Sequence, residues 1–205
     1  MTISRPSRSD GFALGLIATG AVSVAVAAVV AIVQAAFASF TDELSLRMPT
    51  IGTQAADLSS TGGIVRAEYV VADVTVESLP AGIRWMLLLE VALPALATIG
   101  VCVVAYWLGI SLLRSRPFGR TMPTALATVA CLVILGGAGG QVLGAIARSA
   151  TVEHLAASGA ATREVFPAFL LDLDLSPLGW GFALALIAGA FSIGQRLQRE
   201  TEGLV

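Results

Sequence analysis

Two long apolar runs on either side of the turn Arg114-Ser-Arg-Pro-Phe-Gly-Arg120 constrain this chain more than any other stretch. The first run ends in Leu112 and Leu113, and the second reaches Gly140. Apolar runs of about 20 residues match the roughly 30 Å hydrocarbon layer of a bilayer, and arginines gathered in a short loop between two such runs mark the cytoplasmic side. The pair reads as two membrane spans, and the rest of the chain is read from it.

Composition agrees. Of 205 residues, 56% are hydrophobic and 13% charged, and the mean hydropathy is +0.85. A soluble fold would have to hide several helices that are apolar all round. The expected fold is an all-α membrane protein with four transmembrane helices and a small extracytoplasmic β-hairpin or flap between the first two. The boundaries are spans at 12–40, 83–113, 122–147 and 178–194, a β-containing loop at 41–82, a cytoplasmic turn at 114–120 and a cytoplasmic tail at 195–205, all in one domain.

The first run is about twice the length of a signal-peptide core, so it is expected to remain as a span although Ala36-Phe-Ala38 resembles a cleavage site. In the polar segment that follows, Val70-Val-Ala-Asp-Val-Thr-Val-Glu77 alternates at period two, and Leu44 to Met48 does so more weakly. Thr61-Gly-Gly63 supplies turn chemistry. Such a flap is too short for a core of its own and must pack on helix ends or on a second copy, so a homodimer is compatible with it. Pro94 predicts a kink in the second span. After the third span, Thr162 is a candidate cap for a short helix and His154 reads as an exposed loop residue. Arg5, Arg8, Arg114, Arg116, Arg120, Arg196 and Arg199 then fall inside and most acids outside, which puts both termini in the cytoplasm at the cell membrane.

Small residues recur at helical spacing. Gly136, Gly140 and Gly144 form a ladder on which a neighbouring backbone can pack closely, and Gly181, Ala185 and Gly189 repeat the pattern in the last span. Cys102 and Cys131 lie within apolar runs without a C-x-x-C, and they read as small buried hydrophobes.

Glu90 is the one ionisable side chain deep in an apolar run, with Arg84 as its nearest charge in sequence. A carboxyl group in that position needs a partner and is a functional candidate. Gln34 and Gln141 fall at a similar depth, so Gln34, Glu90 and Gln141 are expected to form an intramembrane polar cluster, with interhelical hydrogen bonding favoured over proton coupling or ligand binding. The second candidate is a cytoplasmic surface for a partner or for lipid headgroups, made of Arg114, Arg116, Pro117, Phe118 and Arg120 with Gly194 and Leu197 of the tail. No nucleotide loop, zincin helix, nucleophile elbow or triad is readable. Neither a catalytic residue nor a metal or cofactor is expected, nor direct nucleic-acid binding; the surrounding partner is the lipid bilayer.

Arg116-Pro-Phe-Gly119 before the third span, with Phe191, Gly194, Leu197, Glu200 and the ending Glu202-Gly-Leu-Val205 after the fourth, resembles an uncharacterised bacterial membrane family, domain of unknown function 2975. The resemblance implies a multi-pass protein with four helices, often encoded beside a small helix-turn-helix regulator, and no established activity. The two readings that follow are a non-enzymatic membrane protein that binds a cytoplasmic regulator through its basic turn and tail, and a small transporter or channel subunit that uses the Glu90 layer.

Overall fold

A computed structural model describes residues 8–41, 43–54, 68–77, 79–113, 121–157, 159, 165–171 and 173–202. The basic turn 114–120, the Thr61-Gly-Gly63 turn and Thr162 lie outside the described residues. The described chain is mostly helical, with α1 (Arg8–Ser39), α2 (Ala81–Leu113), α3 (Thr121–Ala157) and α4 (Ser176–Glu202). Between α1 and α2 stand β1 (Glu43–Gln54) and β2 (Glu68–Glu77), a two-stranded antiparallel sheet. All four helices are long and apolar enough to cross a membrane. Pro123 and Pro177 sit in the first turns of α3 and α4, where the missing N–H costs nothing. Pro94 lies within α2, which continues past it as helix, and the Thr98 hydroxyl donates to the Pro94 carbonyl at 2.8 Å.

The chain divides into two compact units, where the sequence alone reads as one domain. One, the sheet-bearing unit, comprises Val33–Val91 and Gly140–Leu173. Its strands pair with Leu44 opposite Val76, Leu46 opposite Val74 and Met48 opposite Ala72. Leu44, Leu46, Met48 and Val76 turn inward and join Leu79, Ile83, Leu87, Ala147 and Val152 in one apolar cluster. The sheet thus lies on the helix ends of its own chain. On the outer face Arg47 stands opposite Asp73 and Ser45 opposite Thr75, a charge pair and a hydroxyl pair that suit a wet surface. Between Pro49 and Thr53 the register slips, so that Thr50, Ile51 and Gly52 face Val70 alone. Pro49 and Gly52 are residues that such a bulge tolerates.

Leu44–Met48 is paired within β1 as expected, and two other expectations about this unit are corrected. The weakly alternating Leu44–Met48 stretch supplies the best-buried strand residues, with Met48 only 1% exposed. Helix α3 runs ten residues beyond Ala147, because Ala147, Thr151, Val152 and Leu155 recur at helical spacing and pack at the sheet cluster or within its buried surroundings. His154 is exposed as expected, but in the last turn of α3 and not in a loop. Gly159, at φ +91°, then takes the left-handed conformation that ends the helix.

The other unit, the helical unit, comprises Met1–Ile32, Ala92–Gly139 and Asp174–Val205. Its buried hydrophobic residues, among those described, are all alanines: Ala28, Ala92, Ala97, Ala125, Ala130 and Ala188. Glycine brings the backbones still closer. A Cβ at Gly136 would overlap Ala97 and meet the Leu93 carbonyl oxygen at 3.1 Å, one at Gly137 would overlap Pro177, and one at Gly181 would overlap Ile134. The repeat in α4 is only partly used: Ala185 and Gly189 are exposed, and Ala188 is buried instead. Cys131 is also exposed and Cys102 half-buried, against the expectation that both are enclosed. The large apolar side chains of this unit point outward, among them Leu135 at 72% exposure and Leu186 at 76%.

Candidate functional site

The sheet-bearing unit holds an ion pair within its helices. Arg148 Nη1 donates to Glu90 Oε1 at 2.8 Å, with the two side chains 34% and 26% exposed. Both elements are needed to build this contact. On α3, Gly144 and Arg148 are four residues apart and share a face, so the missing side chain at Gly144 leaves a notch beside the arginine. The Glu90 carboxylate of α2 fills that notch so closely that a Cβ at Gly144 would overlap it. Pro94 lacks the N–H that would otherwise bond the Glu90 carbonyl, so the same residue also has an altered backbone environment.

The position of Glu90 in α2 explains why Arg84 is not its partner. Six residues correspond to about 240° of helical rotation, which turns the two side chains to different faces. Arg84 instead donates from Nε to the Leu79 carbonyl at 3.0 Å and from Nη1 to the Thr41 carbonyl at 2.9 Å. Beside it, Phe40 and Trp85 meet edge to face with centroids 5.2 Å apart.

Of the expected polar cluster, Glu90 faces Gly144 and Arg148, Gln141 is half-buried on α3, and Gln34 is exposed on α1. Arg148 was not among the candidates, since it stands 58 residues from Glu90. The signal that could have found it is the Gly144-x-x-x-Arg148 spacing. Gly136, Gly140 and Gly144 are all buried. Arg148 also lines a crevice of about 20 Å³ with Met48, Pro49, Phe166 and Pro167, room for about one water. The arrangement can clamp α2 to α3.

The expected cytoplasmic surface is described only at its tail. Gly194 is exposed on α4, Leu197 lies in the same helix, and Arg114, Arg116, Pro117, Phe118 and Arg120 lie outside the described residues. No group of three or more metal-ligating side chains gathers among the described residues.

A second concavity belongs to the helical unit. It measures about 410 Å³ and is lined by Val24, Val101, Cys102 and Val133, with Asp174, Ser176 and Trp180 at one side. Asp174 precedes α4 and accepts hydrogen bonds from the Ser176 hydroxyl and the Ser176 N–H. These donors, the hydroxyl first, hold the Asp174 carboxyl below its ordinary value of 3.8.

Comparison with known proteins finds no matching family, curated protein or solved structure.

Proposed function

We propose that this chain is a non-enzymatic, four-span integral protein of the cell membrane, with both termini cytoplasmic, that binds a cytoplasmic regulator through its basic turn and tail. The observation that carries the membrane part is the outward display of large apolar side chains along all four helices, from Phe37 at 75% exposure to Leu186 at 76%. Water would not tolerate so extensive an apolar surface, and lipid favours it. The alanine-only burial of the helical unit supports the same reading, because helices in lipid associate through small residues at close range. The orientation follows from arginines at 114, 116 and 120 and in the tail.

The partner surface rests on the resemblance to domain of unknown function 2975, whose matching segments, Arg116-Pro-Phe-Gly119 and the tail, fall on one side of the membrane in this topology. A small helix-turn-helix regulator is the partner class that the resemblance implies. Pull-down from non-ionic detergent tests it: Phe118→Ala and deletion of 195–205 are each expected to reduce recovery of the regulator, and unchanged recovery in both overturns the reading. Labelling a cysteine placed at 118 from each side of intact cells tests the topology, with modification only by reagents applied outside as the contrary result.

The Glu90–Arg148 pair acts in this proposal as a structural clamp. A transporter or channel subunit using Glu90 would require the carboxylate to leave Arg148 and its notch on Gly144. Flux in liposomes that disappears in Glu90→Gln while the fold persists would favour that alternative.

A further inference from the structure

We propose that segment 166–171, with Leu173, is a contact site for a lipid surface: Phe166 and Pro167 seat it on the sheet-bearing unit, and Phe169, Leu170 and Leu173 enter the headgroup boundary of the leaflet at which α4 begins. This rests on the membrane reading proposed above and is independent of the regulator. Exposure is the first observation. Phe169, Leu170 and Leu173 are 57%, 49% and 41% exposed, and the run Phe166-Pro-Ala-Phe-Leu-Leu171 carries no charge. Contiguous apolar surface of this kind marks a place that something other than water covers. The same run is fixed on its other side. Phe166 packs against the apolar cluster of the sheet, and Pro167 lines the crevice with Met48 and Pro49.

The length of α4 chooses lipid as the occupant. Its apolar part, Ser176–Gly194, has 19 residues, and at 1.5 Å per residue it covers about 28 Å, barely the roughly 30 Å hydrocarbon layer. A helix that short crosses only with Ser176 at one face of the layer. Leu173 is tied to Ser176 by three residues and Phe169 by seven, so extended chain carries them no farther from that face than about 11 Å and about 25 Å. The backbone then sets the depth. Residues 166–171 form neither helix nor strand, and irregular backbone facing lipid is excluded from hydrocarbon but satisfied by water and headgroups. Apolar side chains turned toward lipid from a backbone held among headgroups meet both demands.

The test uses the full-length chain in phosphatidylcholine nanodiscs. Its three tryptophans are removed by Trp85→Phe, Trp107→Phe and Trp180→Phe, and one reporter is returned at a time. Phe169→Trp and Leu173→Trp report on the segment, while Leu186→Trp, on the exposed face of α4, reports on the membrane reading itself. The probes are phosphatidylcholines brominated at an upper or a lower carbon of the acyl chain, whose bromines quench tryptophan, and acrylamide in the water. Both segment reporters are expected to be quenched about twofold more strongly by the upper bromines, and Leu186→Trp by the lower, since the two depths are separated within the roughly 30 Å layer. Circular dichroism and elution volume establish that each variant is folded. Segment reporters untouched by either bromolipid, or quenched most by the lower one, overturn the proposal. If Leu186→Trp is quenched in the same samples, the membrane reading stands without it; if Leu186→Trp is also untouched, both fall. Segment reporters shielded from bromolipid and acrylamide alike assign the surface to a second copy of the chain and equally overturn the proposal.

Discussion

The two units of this chain are held together by different means. In the sheet-bearing unit large side chains interlock: Leu44, Leu46, Met48, Ile83 and Leu87 enclose one another while Thr151, fully buried, donates to the Ala147 carbonyl. In the helical unit nothing larger than alanine is fully enclosed among the described residues, and glycines set the contacts. The contrast follows from solvent. A core of leucine, methionine and valine gains from leaving water, whereas in the membrane reading proposed above the helices would gain only from close approach.

That contrast is broken most directly at Met48. Met48→Ala empties the centre of the sheet cluster and is expected to destabilise the sheet-bearing unit by about 2–5 kcal/mol. Hydrogen exchange should show faster exchange in β1 and β2 while the helical unit is spared; uniform loss of protection would mean that the units do not respond separately. The reciprocal change is Gly136→Leu, which forces a side chain against Ala97 and the Leu93 backbone. Overpacking there is expected to cost about 1–3 kcal/mol, read as lower thermal stability in detergent. An unchanged midpoint would show that glycine contacts do not govern the helical unit.

The ion pair gives a smaller effect, because both side chains are partly exposed. Arg148→Met is expected to cost about 1–2 kcal/mol by leaving Glu90 without its partner, and the added change Glu90→Gln to recover part of that loss. Additive losses in a double-mutant cycle would remove the clamp from the account. Smallest is the acid response of Asp174. Its carboxyl value is lowered in the folded chain by Ser176, so its stabilising contribution is present above the unfolded value of 3.8 and fades as pH falls through the folded value. Asp174→Asn should therefore lower stability slightly at neutral pH, with the difference from the unchanged chain vanishing as pH falls through the folded value.

The long apolar runs made the four helices legible, and the alternation from Val70 to Glu77, broken only at Val71, did the same for β2. Period alone said less of β1, since only Leu44, Leu46 and Met48 carry its alternation and their burial depends on what the strand meets. It also ended α3 too early: Arg148, Glu153 and His154 look like a loop until Ala147, Thr151 and Val152 are placed on one buried helix face. Glu90 stood out because a carboxylate in an apolar run is costly. Its partner did not, because depth along a helix can be read from spacing whereas facing across two helices cannot. Cys131 illustrates the same limit, being apolar in context yet outward in orientation.

The hold that Arg84 takes on Thr41 and Leu79 has a consequence for tolerance to change. A single guanidinium fastens the departure and the return of the β excursion at one knot, so the helices on either side keep their spacing whatever length of chain is strung between. Lengthening a closed segment adds entropy cost only logarithmically. A longer connection between the strands is thus tolerated, and replacing that arginine should cost more than extending the connection.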